Sequence, residues 1–219
     1  MADRARSALR AAAAVDDSPR AVLAELNRVL VGSRLGVAAS LTAICLRFER
    51  RGPGLAVTLC VAGHPPALLR SADGSVTEVA AAGTMLGVLE DPLLADRKLI
   101  LSPGSTLLLY TDGVTEARRG SDYYAERLFG VVAREGGRRF AAIPERVARD
   151  VRAFTGGTNE DDLAVLALRA AAPNRSRLAA RAPRWHRRRA VRRDEARTVT
   201  VRASSEVAGA GFEPTTSGL

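Results

Sequence analysis

The chain has 219 residues, enough for one well-buried domain and too few for two of ordinary size. Apolar residues make up 47% and aromatics only 4%, so the core has to be built from Leu, Val and Ala, and no uncharged apolar stretch reaches the ~18 residues of a membrane span. The charge of +9 is concentrated at one end: residues 170–219 hold 11 arginines against 4 acids, leaving 22 basic and 20 acidic residues before them, which excludes a basic nucleic-acid surface on the body.

Residues 4–14 favour helix but carry almost no large apolar side chains. Ser18-Pro19 then gives an N-cap followed by proline at the first helical position. Val22, Leu23, Leu26, Val29 and Leu30 follow at helical spacing, predicting an amphipathic helix over 19–31. The period changes to two over 40–49 and 55–62, which read as a hairpin around a Gly/Pro loop. Residues 67–70 and 76–80 predict a second hairpin, with Asp73-Gly74 suited to a tight type I′ turn. Residues 97–101 and 105–110 predict a third, turning at Ser102-Pro103-Gly104. The run 106–110 (TLLLY) lacks polar alternation and reads as a strand covered on both faces.

Helical spacing returns with Tyr124, Leu128, Val131 and Val132, and again with Ile143, Val147, Val151 and Phe154, where Gly156-Gly157 stops the helix. A last strand is expected over 163–169. Antiparallel strands with helices segregated from them define an α+β fold. Cys45 and Cys60 sit in apolar strands and read as buried free thiols, with no zinc-type cluster. After Ala170 neither period persists, so the expected organisation is a domain over 1–169 and an Arg-rich, disordered tail over 170–219. The start has no hydrophobic leader, and a cytoplasmic location is the expectation.

Three segments can carry chemistry. They are Val61-Ala62-Gly63-His64-Pro65-Pro66, a break between two strands; Tyr110-Thr111-Asp112-Gly113, where a buried strand ends; and Asn159-Glu160-Asp161-Asp162-Leu163, where an acidic pair opens the last strand. A carboxylate at the end of a rigid strand is well positioned, and Mg²⁺ and Mn²⁺ prefer such oxygens while keeping several waters. Glycine after Asp112 lets the chain turn without crowding an ion. Two cations about 3.5–4 Å apart activate water and clamp a phosphoryl group for in-line displacement. Each segment also has a plain structural reading: Asp112-Gly113 as a turn, Asp161-Asp162 as a polar loop, His64 as a loop residue.

The order of these segments resembles the SpoIIE/RsbU phosphatases, a bacterial branch of the PPM (PP2C-like) family. The resemblance runs through AGHPP (62–66), GTMLGV (83–88), LLLYTDGVTEAR (107–118), ERL (126–128) and the ending DDLAVLALR (161–169), about 150 residues in all. It implies an αββα sandwich of two antiparallel sheets flanked by helices. It also implies hydrolysis of phosphoserine or phosphothreonine by a metal-bound water, with Mn²⁺ or Mg²⁺ as cofactor. Carried onto this sequence, Asp112 and Asp161 would be metal ligands, Gly113 would turn the chain beside the ion, Asp162 would support it, and His64 would lie close by without a catalytic role. The implied substrate is a phosphorylated anti-anti-sigma (STAS-type) protein; neither membrane nor nucleic acid is an expected partner.

The family pattern also includes an earlier GGDxxD-like motif and a DVxGHG-like turn, and neither occurs in this sequence. The resulting expectations are a fold incomplete at its N-terminus, unpaired sheet edges, weak metal binding and impaired hydrolysis. The alternative reading is a non-catalytic module of the same fold that still binds the partner.

Overall fold

The computed structural model describes residues 7, 9–13, 18–32, 40–79, 81–134, 142–157, 163–170 and, for its backbone, 197–203. Two four-stranded antiparallel sheets dominate, and both follow from where apolar residues fall on alternate faces. The first has the order β10-β1-β2-β5, made of β1 (Thr42–Arg51), β2 (Gly54–Ala62), β5 (Arg97–Leu101) and β10 (Arg197–Ala203). The second has the order β4-β3-β6-β9, made of β3 (Ala67–Arg70), β4 (Val76–Val79), β6 (Thr106–Tyr110) and β9 (Val165–Arg169).

The sheets face one another across a core of Ile44, Leu46, Val57 and Leu59 from the first and Ala67, Leu107 and Leu109 from the second. The alternate residues face outward. Ala43, Cys45 and Cys60 meet helix α1 (Pro19–Val31) through Val22, Leu23, Leu26 and Leu30. Leu68, Leu108 and Tyr110 meet α3 (Ala125–Arg134) and α4 (Ile143–Thr155) through Leu128, Val131, Val132, Val147 and Val151. The layers are therefore αββα, as expected. The apolar run of β6 is explained in the same terms: Leu107 and Leu109 fill the space between the sheets while Leu108 and Tyr110 lie under helices.

Capping follows the sequence where it was legible. Ser18 Oγ accepts from the Ala21 N–H at the start of α1, and α4 ends at Gly156 in the left-handed conformation. Buried Asn27 ties α1 to the loop after β4. Its amide donates to the Leu89 and Glu90 carbonyls at 2.9 and 3.2 Å, and its Oδ1 accepts from Gly87 N–H at 2.8 Å. On the other side of the molecule buried Arg70 donates through Nε to the Val132 carbonyl at 3.1 Å, fixing the end of α3 to β3.

Three expectations need correction. The strands over 97–101 and 105–110 do not form a hairpin: β5 pairs with β2 and β6 pairs with β3 and β9. The turn at Ser102-Pro103-Gly104 carries the chain from one sheet to the other, because burial on two opposite sheets outweighs local pairing. The β3–β4 connection spans 71–75 instead of a two-residue turn; the Asp73 carboxylate accepts from both the N–H and hydroxyl of Ser75, an Asx arrangement that favours the wider loop. Disorder after 170 does not extend to Arg197–Ala203, where four consecutive β-branched residues alternate Thr with Val along RTVTVRA and the strand pairs with all of Thr42 to Phe48 on β1. That pairing covers one edge of β1. Cys45 and Cys60 are free thiols, directly opposite one another on β1 and β2.

Candidate functional site

The second sheet brings the chemistry-bearing segments to one end. β3 runs antiparallel to β6 with Leu68 opposite Leu108, so continuing that register by four residues brings the chain to His64 on one strand and Asp112 on the other. β9 runs antiparallel to β6 with Val165 opposite Tyr110. One residue further, Thr111 N–H donates to the Ala164 carbonyl and Ala164 N–H donates to Thr111 Oγ1, each at 3.0 Å. The entry to β3, the exit from β6 and the entry to β9 thus share one sheet end. Asp161 and Asp162, immediately before this last entry, lie outside the described residues.

Asp112 opens a one-turn helix, α2 (Asp112–Thr115), where the plain structural reading of Asp112-Gly113 is a turn. Its half-buried carboxylate accepts the Gly113 N–H through Oδ1 at 3.0 Å, and its carbonyl accepts the Thr115 hydroxyl at 3.1 Å. These contacts fix the side chain while Oδ2 stays outside them. Gly113, the second residue of this helix, is buried.

His64 is held just beyond β2 by the turn at Gly63. Gly63 has φ of +63° and an added Cβ would lie 3.0 Å from Met85 Cα, so glycine is required there. His64 is only 6% exposed. Its Nδ1 lies 3.0 Å from the Pro65 carbonyl, and because a carbonyl only accepts, Nδ1 carries the proton of this bond. Nε2 is then the acceptor nitrogen, and it is buried with no hydrogen-bond partner among the described residues. Burial holds the imidazole below its ordinary pKa, against the smaller raising influences of the Pro65 bond and the Asp112 carboxylate. Burial thus favours the neutral form of the ring.

Among the described residues no group of three or more His, Cys, Asp or Glu side chains gathers to hold a metal ion. What they supply is a pair of donors at one sheet end: the Asp112 carboxylate and the orphaned Nε2 of His64. Of the two, the Asp112 carboxylate is the oxygen donor that suits a divalent cation keeping most of its waters, which is how Mg²⁺ is commonly held. Thr111 was not singled out from the sequence, although it ties the β9 entry to the residue before Asp112. A threonine closing an otherwise apolar strand was the available signal.

Comparison with solved structures places this architecture among PP2C-type phosphatase domains. The RsbU and RsbW domains of Rv1364c from Mycobacterium tuberculosis superpose with a TM-score of 0.58 at 25% identity, covering 78% of this chain and 47% of that one. The SiaA-PP2C domain of Pseudomonas aeruginosa gives 0.57 at 20% identity, covering 76% and 67%. The phosphatase domain of the cell fate determinant SpoIIE from Bacillus subtilis, presoaked with Mn, gives 0.57 at 15% identity, covering 80% and 76%. The chain thus spans about half the length of the first of these. No curated protein matches it. Residues 1–171 match the family described as Stage II sporulation protein E (SpoIIE), and the chain belongs to that family. No helix among the described residues is long and apolar enough to cross a membrane.

Proposed function

We propose that this chain hydrolyses phosphoserine or phosphothreonine on a protein, using Mn²⁺ or Mg²⁺ held by Asp112 and Asp161. The observation that supports the reading is the paired hydrogen bonding of Thr111 with Ala164, the neighbours in sequence of Asp112 and Leu163, at one sheet end. A bound divalent cation supplies a water of lowered pKa and neutralises phosphoryl oxygens. Asp112 contributes a carboxylate whose direction is fixed by the Gly113 N–H, and buried Gly113 keeps the space beside it free of a side chain. Asp162 supports Asp161 in this reading. The net reaction breaks the ester P–O bond, forms a P–O bond to water and returns the serine or threonine hydroxyl.

The substrate proposed is a phosphorylated anti-anti-sigma protein of STAS type, on the strength of the SpoIIE/RsbU resemblance. Residues 1–169 are taken as the phosphatase-type domain and 170–219 as an appended tail, with a cytoplasmic location. Because the sequence offers only Asp112 and Asp161 of the carboxylates the resemblance implies, metal affinity is expected to be low and hydrolysis correspondingly impaired. The test is phosphate release from a phosphorylated STAS protein by the full chain at millimolar Mn²⁺. Release that is metal-dependent supports the reading. Tight binding of the phosphoprotein without release would instead favour the non-catalytic module.

A further inference from the structure

One small sheet stands apart from the two that form the sandwich. β7 (Arg118–Arg119) and β8 (Asp122–Tyr123) pair antiparallel as a hairpin, with Arg118 opposite Tyr123 and Arg119 opposite Asp122. Gly120, at φ +62°, makes the turn, and all six residues from Arg118 to Tyr123 are exposed. The base of the hairpin is fixed. Ala117 and Tyr124 on either side of it are buried, and the Tyr124 N–H donates to the Ala117 carbonyl at 2.8 Å. The Arg119 guanidinium lies over the Phe154 ring, 5.4 Å from its centroid, which pins one face of the hairpin to α4. Successive residues of a strand point to opposite faces, so Arg118 and Tyr123 share the other face, where half of Tyr123 is exposed.

We propose that this hairpin is a docking element for the phosphoprotein substrate, with Arg118 and Tyr123 as its contact face. This rests on the phosphatase reading above and gives the protein part of the substrate a place to bind. Asp112 is the first residue of α2 and Arg118 follows six residues later. One helical turn and three extended residues reach no further than about 16 Å, so the hairpin begins within that distance of Asp112. A docked protein that buries an ordinary ~800 Å² of this chain covers a disc of about the same radius. A folded phosphoprotein presenting its phosphoserine at Asp112 thus reaches the hairpin, and a small phosphate ester does not. Tyrosine and arginine are the residue types that most often anchor such contacts. A hairpin already held at its base and by Arg119 loses little entropy on binding. Its two arginines against the single Asp122 suit a partner made more negative by phosphorylation.

The experiment gives the full chain two substrates at millimolar Mn²⁺, a serine-phosphorylated STAS protein and p-nitrophenyl phosphate. Binding of the phosphoprotein is measured separately by titration calorimetry. Tyr123→Ala and Arg118→Glu should each raise KM for the phosphoprotein, and weaken its binding, by about tenfold, the loss of one interface anchor. Hydrolysis of p-nitrophenyl phosphate and kcat for the phosphoprotein should stay within about twofold, because both changes lie on the surface. Equal losses toward both substrates would mark a structural role and overturn the proposal. Unchanged KM and affinity in both variants overturn it as well, and leave the phosphatase reading intact. Self-association of the chain that the same variants abolish, with phosphoprotein binding unaltered, would assign this face to a second copy and also overturn it. If the chain binds the phosphoprotein without hydrolysing it, the tenfold loss of affinity remains the expected result. A chain that neither binds the phosphoprotein nor hydrolyses either substrate removes both readings.

Discussion

Thr111 and Ala164 hold each other by two hydrogen bonds of 3.0 Å, backbone to backbone in one direction and backbone to hydroxyl in the other. The hydroxyl takes the place of a ladder carbonyl where β6 leaves the sheet. In Thr111→Val the Ala164 N–H would be left buried without its partner. The expected cost is about 1–3 kcal/mol, and each kcal/mol lowers Tm by about 2–4 °C in a chain of this size. Thermal unfolding followed by circular dichroism checks the size of the effect. Metal-dependent phosphate release should fall further than stability does, because the loosened segment adjoins Asp161-Asp162.

Asp112→Asn keeps the shape of the side chain and an oxygen for the Gly113 N–H, and removes only the charge. The expected outcome is a Tm close to that of the unsubstituted chain and a loss of at least about a hundredfold in Mn²⁺-dependent phosphate release. A phosphate-release assay at saturating Mn²⁺ decides it. An active Asp112→Asn protein would remove Asp112 from the site.

Asn27 satisfies three backbone groups of the loop over 87–90 while itself fully buried. Asn27→Ala leaves those groups unpaired and opens a small cavity under α1. A loss of about 2–3 kcal/mol is expected from chemical denaturation, with faster hydrogen exchange at the Gly87 amide. If Gly87 exchange is unchanged, the loop is held by other contacts.

Cys60 is fully buried, and burial, reinforced by the charge of Asp96, pushes its thiol up to about 11. The folded pKa lies above the unfolded one, so the contribution to stability is complete below the unfolded value of about 8.5 and is lost as pH rises through about 11. Two measurements follow. A thiol reagent at pH 8 should react with Cys60 only after denaturant is added, and stability should fall between about pH 9 and pH 11 less steeply in Cys60→Ala than in the unsubstituted chain.

Much of this arrangement was readable before any coordinates, because burial imposes period. The apolar face of α1, the alternation in β1 and β2 and the solid run of β6 are each dictated by what covers them, and they give the αββα layers directly. The turn at Ser102-Pro103-Gly104 was misread because the same residues serve a chain reversing within a sheet and one crossing to the next. Helix α2 is too short at four residues for any period to show. Arg197–Ala203 alternates clearly, but its composition resembles that of the arginine-rich stretch around it. At the site, the residue types of His64 and Asp112 were legible, whereas the bare Nε2 depends on which way one ring nitrogen turns. No linear pattern encodes that.

The account stands on a shared location for three chain segments that are distant in sequence. Paramagnetic broadening by substoichiometric Mn²⁺, read residue by residue in the amide NMR spectrum of the full chain, tests this most directly. The predicted result is selective loss of the Gly63 and His64, Thr111 to Gly113, and Leu163 and Ala164 signals together, abolished in Asp112→Asn. Broadening confined to one of these segments, or scattered over exposed acidic residues such as Glu49 and Asp73, would contradict it.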